Sequence, residues 1–218
     1  MIDSDTSPEH VGWAHQQWPP GSREVALLTL LTGLLFVGTI LAFGDYHSTE
    51  YHFGDSSAYT DITSAIRHWN FHGLQIKQFW GYPYAMAAAS GVTTISDQSS
   101  LLLISFASSF LSAAFSYRLW GGWVAGLFAV LNFDWMQRSF LGGSEPLAVA
   151  LIFGAFLAVR RDRYLLAALL ASLSTIVRPL SIFCLIGIGV VLLYRHEYRS
   201  SRVRCLLRLS LGFFTCCL

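Results

Sequence analysis

Long apolar runs alternate with short polar breaks along the chain. Residues 25–43 (VALLTLLTGLLFVGTILAF) carry no charge, and a membrane crossing needs ~20 mostly apolar residues, within a range of ~17–25. A serine-rich run follows at 99–117 (SSLLLISFASSFLSAAFSY). After a Gly-Gly turn comes 121–136 (GGWVAGLFAVLNFDWM), then 145–159 (EPLAVALIFGAFLAV). Residues 164–194 are mostly apolar, broken by Arg178-Pro179. One straight helix of that length would reach ~46 Å at ~1.5 Å per residue, against a hydrocarbon core of ~30 Å. Proline disfavours helix at the residue before it, so the spacing predicts two short helices, 164–177 and 180–194, turning near Arg178. A last run, 205–218, starts like another span and stops early, which predicts a truncated segment. Together these runs predict an all-α membrane protein, a multi-span helical bundle. A polar N-terminus (1–24) leads into a membrane domain (25–218) with a large outer loop at 44–98.

That loop predicts short amphipathic helices. In SSAYTDITSAIRHW, Ala58, Ile62, Ala65, Ile66 and Trp69 share one face, and Asp61, Ser64, His68 and His72 share another. Trp69, Phe71, Phe79, Trp80, Tyr82 and Tyr84 suit a membrane surface, where amphipathic rings settle. The stretch 81–95 (GYPYAMAAASGVTTI) is too short and small-residue-rich to cross alone, and predicts an interfacial or re-entrant helix.

Composition agrees. The chain is 54% hydrophobic and 12% charged, with a mean hydropathy of +0.50, whereas soluble domains carry roughly 25% charged residues. A net charge of +1 gives a nucleic-acid role no electrostatic support. The distribution of charge is more telling. With these spans one side receives Arg23, Arg118, Arg160, Arg161, Arg163, Arg195, Arg199, Arg202, Arg204 and Arg208, and the other receives Arg67, Lys77, Arg138 and Arg178. The positive-inside rule makes the first side cytoplasmic, with the N-terminus on it. Asp45, Glu50, Asp55, Asp61, Asp97, Asp134 and Glu145 fall on the outer side. The acidic first residues lack the basic start of a cleaved signal, so 25–43 reads as an uncleaved anchor. Cys184, Cys205, Cys216 and Cys217 have no framework spacing and read as buried free thiols.

Candidate chemistry concentrates on the outer side. Asp55 sits where a helix N-cap belongs; it is either that cap or a carboxylate presented at the membrane surface, and Tyr59, one turn on, can face the same cavity. Glu145, before Pro146, is either an ordinary helix start or a substrate contact. Arg178, charged amid apolar residues at a helix break, is a functional-site candidate by default, and its planar fork suits a phosphate; the alternative is snorkelling to the surface. His68 and His72 at i, i+4 could ligate a divalent metal with Asp61 or His52, or form a solvated face. Asp134 reads as a residue at the outer membrane edge.

In order, "FGDSSAY", "GYPY", "GGSEPL" and "LLAALLASLSTIVRPL" resemble the N-terminal half of GT-C integral membrane glycosyltransferases over about residues 25–195. The resemblance implies sugar transfer from a polyprenyl-phosphate-linked donor to a lipid, glycan or protein acceptor at the outer face of the bilayer, in a multi-pass protein of the bacterial inner membrane. It implies Asp55 as catalytic base; this sequence has Asp55-Ser56 where many members carry two adjacent acids. Tyr59, Tyr82 and Glu145 would contact substrate, and Arg178 the lipid phosphate. The chemistry is coherent: a lipid phosphate leaves as an anion without a general acid, so one carboxylate suffices to take the acceptor proton. A transporter or flippase, or a non-catalytic membrane fragment, is the alternative; the first predicts ionisable groups within several spans, and 25–43 and 99–117 hold none.

Overall fold

The computed structural model describes residues 22–43, 55–73 and 78–194. Residues 1–21, His52 and the arginines from 195 onward lie outside the described residues, as do Cys205, Cys216, Cys217 and the run 205–218. Within the described residues the chain is all helix, with no strand. In order these are α1 (Ser22–Phe43), α2 (Ser56–His68), α3 (Gly81–Thr93), α4 (Asp97–Trp120), α5 (Gly122–Gly126), a π turn (Leu127–Leu131), α6 (Phe133–Phe140), α7 (Glu145–Arg160), α8 (Tyr164–Val177), a 3-10 turn (Pro179–Ser181) and α9 (Ile182–Tyr194). Among the described residues α4 is the one helix shown to be long and apolar enough to cross a membrane alone. The pair α6–α7, bent by 106°, adds a second if taken as one broken span; α8 and Pro179–Val190 are apolar but shorter.

Helices α4, α7 and α8 form the centre, and small side chains bring them together. On α4 the buried positions include Ser105, Ser108, Ser109, Ser112, Ala113 and Ser116; on α7, Ala148, Gly154, Ala155 and Ala158; on α8, Ala167, Ala168, Ala171 and Ser174. Small residues at i, i+3 and i+4 let backbones approach closely, gaining dispersion contacts along the whole seam. A Cβ at Gly154 would lie 3.3 Å from Leu170 and 3.4 Å from Phe115, so this glycine sits where all three helices meet. The serine hydroxyls bond across the seams: Ser112 donates to the Pro146 carbonyl (3.3 Å) and Ser174 to that of Ala148 (3.1 Å).

These contacts fix direction. Helices α4 and α7 run parallel and α8 antiparallel to them. Helix α1 runs against α4, with Glu24 accepting a hydrogen bond from Tyr117 and Gly33 facing Phe110. One end of the bundle therefore holds Glu24, Arg118 and Arg160–Arg163, and the other holds Asp55, Asp97, Glu145 and Arg178.

Helix α8 ends at Val177, and extended backbone at Arg178 (φ −143°, ψ 117°) turns the chain before α9, as expected of a residue preceding proline. Two local readings differ from the sequence pattern. The run 121–136 is not one helix: Gly121 (φ 90°) starts it, the coil widens at 127–131, and Asn132 stops it and caps α6 by accepting from Trp135 N–H (3.1 Å). Trp69 does not join the apolar face of α2. It adopts a left-handed conformation (φ 50°) at the helix end and is 84% exposed, while Ser56, Tyr59, Ile62 and Thr63 turn inward.

Helix α3 lies across the bundle end that holds Glu145 and Arg178, and Gly81 sets its approach. A Cβ there would fall 2.7–2.8 Å from the Ile176 and Val177 backbone, whereas none at Gly91 would meet an atom within 4 Å. Gly81→Ala should therefore lower the unfolding midpoint by the equivalent of about 1–3 kcal/mol, the usual cost of overpacking. Gly91→Ala, in open helix, should raise it by up to about 1 kcal/mol. Thermal melts of the two variants in matched detergent provide the check, and equal shifts would remove the close approach as the reason for this glycine.

Candidate functional site

Five separate stretches meet at the bundle end that holds Glu145 and Arg178: the start of α2, the start of α3, the first turns of α4, the α6–α7 bend and the α8–α9 break. The bend is made by Gly142-Gly143. Gly142 has φ +86°, open to glycine at little cost, and a Cβ there would strike the Leu101 side chain. A Cβ at Gly143 would lie 2.6 Å from Glu145 Oε2. Both positions exclude side chains, which delivers Ser144 and Glu145 into the centre of the cluster.

A hydrogen-bond chain links the stretches. Ser56 Oγ donates to the Gly142 carbonyl (3.3 Å). The Tyr59 hydroxyl lies 2.9 Å from Ser144 Oγ, which also accepts from Arg178 Nη1 (3.2 Å). Ser105 Oγ donates to the Gly143 carbonyl (2.6 Å), the Tyr82 hydroxyl donates to the Leu101 carbonyl (2.8 Å), and the two hydroxyl oxygens lie 2.7 Å apart. The Tyr59 and Tyr82 rings meet edge to face with centroids 5.0 Å apart, a favourable quadrupole arrangement. Beneath them Met86, Leu101, Leu102, Ala148 and Val177 form a buried apolar floor.

Charge sits on this floor. One oxygen of Glu145, Oε1, accepts from both Arg178 and Arg138, and Arg138 also donates to Asp134 (2.8 Å). The Tyr59 phenol is pushed above its usual range, first by burial, then by the negative charges of Asp55 and Glu145, with Ser144 and Arg178 pulling the other way. Burial likewise pushes Tyr82 up. Both phenols thus remain neutral hydroxyls at ordinary pH.

The structure thus brings Asp55, Tyr59, Tyr82, Glu145 and Arg178 to one place. Asp55 occupies the N-cap position without capping. Its backbone is helical (φ −91°, ψ −3°), its carbonyl accepts from Tyr59 N–H (3.1 Å), and its side chain makes no cap hydrogen bond. His68 and His72 stand apart. Helix α2 ends at His68, so the i, i+4 face does not extend to His72, and both are exposed. No group of three metal-ligating side chains occurs among the described residues. Sequence reasoning missed Arg138, Ser105 and Ser56 as members of the cluster. The one local signal for Arg138 was its i, i+4 spacing from Asp134.

Because the folded-state phenols hold their protons more tightly than unfolded ones, their contribution to stability is full below the ordinary tyrosine range, near pH ~10. It is lost as pH rises from there through the raised folded values. Tyr59→Phe should cost about 1–2 kcal/mol at pH 7 through the lost hydroxyl contact, and should flatten the alkaline fall in stability. Urea or thermal unfolding of both proteins between pH 8 and 12 tests this, and parallel pH profiles would contradict it.

Comparison of the chain with family models, with curated proteins and with solved structures returns no significant match.

Proposed function

We propose that the chain is a multi-span membrane glycosyltransferase of the GT-C kind, moving a sugar from a polyprenyl-phosphate donor to an acceptor at the outer face of a bacterial inner membrane. One observation carries the reading. The short motifs that follow one another along the sequence, holding Asp55, Tyr82, Ser144-Glu145 and Arg178, meet around one hydrogen-bonded centre. They do so at the bundle end opposite Arg118 and Arg160–Arg163, and the positive-inside rule assigns the arginine-rich end to the cytoplasm.

The close small-residue seams of α4, α7 and α8 suit a bilayer, where helices associate by packing and interhelical hydrogen bonds rather than by hydrophobic drive. Exposed Leu27, Leu30, Leu34 and Leu41 on α1, and Phe183, Ile186 and Val190 on α9, suit contact with lipid chains or an isoprenoid tail.

In this chemistry the acceptor hydroxyl oxygen attacks the anomeric carbon as the bond from that carbon to the phosphate oxygen breaks. The electron pair leaves with the phosphate, and the acceptor proton passes to Asp55. The Arg178 guanidinium stabilises the negative charge gathering on the leaving phosphate. Tyr59 and Tyr82, almost wholly buried with their hydroxyls bonded internally, brace the site from beneath rather than line it.

The full chain, reconstituted in liposomes with polyprenyl-phosphate-linked mannose or arabinose, should turn over one of them. Asp55→Asn should reduce transfer by about 10²–10⁴-fold, the usual contribution of a general base, with insertion and melting temperature unchanged. Undiminished transfer by the variant would remove Asp55 as base, and absence of turnover by the unmodified chain would sink the transferase reading.

A further inference from the structure

Arg138 comes from α6 and Arg178 from the break between α8 and α9, yet both point their Nη1 atoms at a single oxygen of Glu145. One carboxylate oxygen is a poor partner for two guanidinium groups, each a planar fork built for two parallel bonds. The Arg178 fork is only partly engaged. Among the described residues the hydrogen bonds of Arg178 run through Nη1 alone, to Glu145 and Ser144, and its side chain is 36% exposed. The Glu145 side chain is 16% exposed and that of Arg138 24%, so the three form a half-sheltered, convergent group rather than a loose surface network. Asp134, 66% exposed, holds Arg138 from the far side through Nε and leaves its Nη1 aimed at the centre. Ser144, 1% exposed, fixes Arg178 and is itself held by Tyr59.

We infer that Arg138 and Arg178 form one two-arginine seat for a phosphate group, and that Glu145 is its built-in competitor, occupying the seat when no phosphate is bound. A phosphate offers several oxygens where Glu145 offers one, so it can meet both forks at once. Its entry releases Glu145 from at least one arginine. Glu145 then acts against donor binding rather than for it: it holds the arginines together in the empty protein and sets how tightly phosphate binds. This deepens the transferase reading and rests on it for the donor's identity, but the seat itself requires only the phosphate chemistry, which a lipid headgroup and a free phosphate ion share.

Binding is therefore measured without catalysis, by calorimetric titration of the full chain in nanodiscs with inorganic phosphate and, separately, with farnesyl phosphate. Glu145→Gln should bind both probes about tenfold more tightly than the unmodified chain. Arg138→Gln and Arg178→Gln should each bind at least tenfold more weakly. Should Glu145→Gln fail to fold with two arginines facing each other, Glu145→Asp carries the test. It keeps the charge but is one methylene shorter and reaches one arginine at most, so it too should bind more tightly than the unmodified chain.

Unchanged or weaker phosphate binding in whichever glutamate variant folds overturns the competitor role, and undiminished binding in Arg138→Gln overturns the shared seat. With the seat upheld, farnesyl phosphate binding more than tenfold above inorganic phosphate assigns a lipid headgroup, and equal binding assigns the free ion. Sugar transfer plays no part in these readouts, so its absence would remove the transferase and leave the seat standing.

Discussion

The close approach of α4, α7 and α8 is the constraint on which the rest of the molecule depends. Serines on α4, alanines and glycine on α7, and alanines on α8 leave little side-chain bulk between the axes. A Cβ at Gly154 would press on the Leu170 and Phe115 side chains. Because α4 and α7 run parallel and α8 returns between the same ends, their termini at the Glu145 end are compelled to meet. Ser105, Gly143 and the α8 terminus thus lie within one or two side chains of each other before any charged group is considered. Helices α2 and α3 complete this floor, α3 through the bare approach of Gly81 and α2 through Tyr59 and Thr63. The Arg67–Asp97 ion pair (2.7 Å) ties the far end of α2 to the start of α4, a partly exposed contact of modest strength.

Much of this was legible in the chain. The apolar run over 164–194 exceeds any bilayer, and Pro179 marks where it turns. The amphipathic pattern after residue 55 gives α2, and the arginine distribution separates the two ends that helix direction also separates. What was hidden required contacts distant in sequence or local backbone detail. Periodicity placed Trp69 with the apolar face, but a left-handed residue at the helix end rotates it outward. Hydropathy made 121–136 one segment, because it does not register a helix that widens and then stops at Asn132. The partnership of Arg138 with Glu145 crosses a bend formed by two glycines, and no helical spacing encodes a contact across a bend.

Asp55 illustrates how the two levels correct each other. An aspartate before Ser-Ser-Ala-Tyr reads as a cap, and capping would commit its carboxylate to backbone N–H groups. In the fold, helical dihedrals at Asp55 itself remove the extended geometry that a capping side chain needs. Its charge nevertheless acts on the Tyr59 phenol, alongside Glu145 and Arg178. The carboxylate is thus within electrostatic reach of the cluster without serving the helix. A carboxylate uncommitted to its own helix end keeps its lone pairs open to other partners, unlike a capping carboxylate, whose lone pairs are already engaged.

The same logic separates the two acids of the site. Glu145 is bonded to two arginines through one oxygen, so its charge is compensated by ion pairing. Asp55 carries no such partner among the described residues. Two carboxylates near one phenol are therefore placed differently: Glu145 is ion-paired on the cationic side, and Asp55 has no ion pair among the described residues. The proposed transfer from a phosphate donor would use this asymmetry, with cationic groups toward the departing phosphate and an unpaired carboxylate toward the acceptor. Were Glu145 unpaired as well, the two arginines would repel one another.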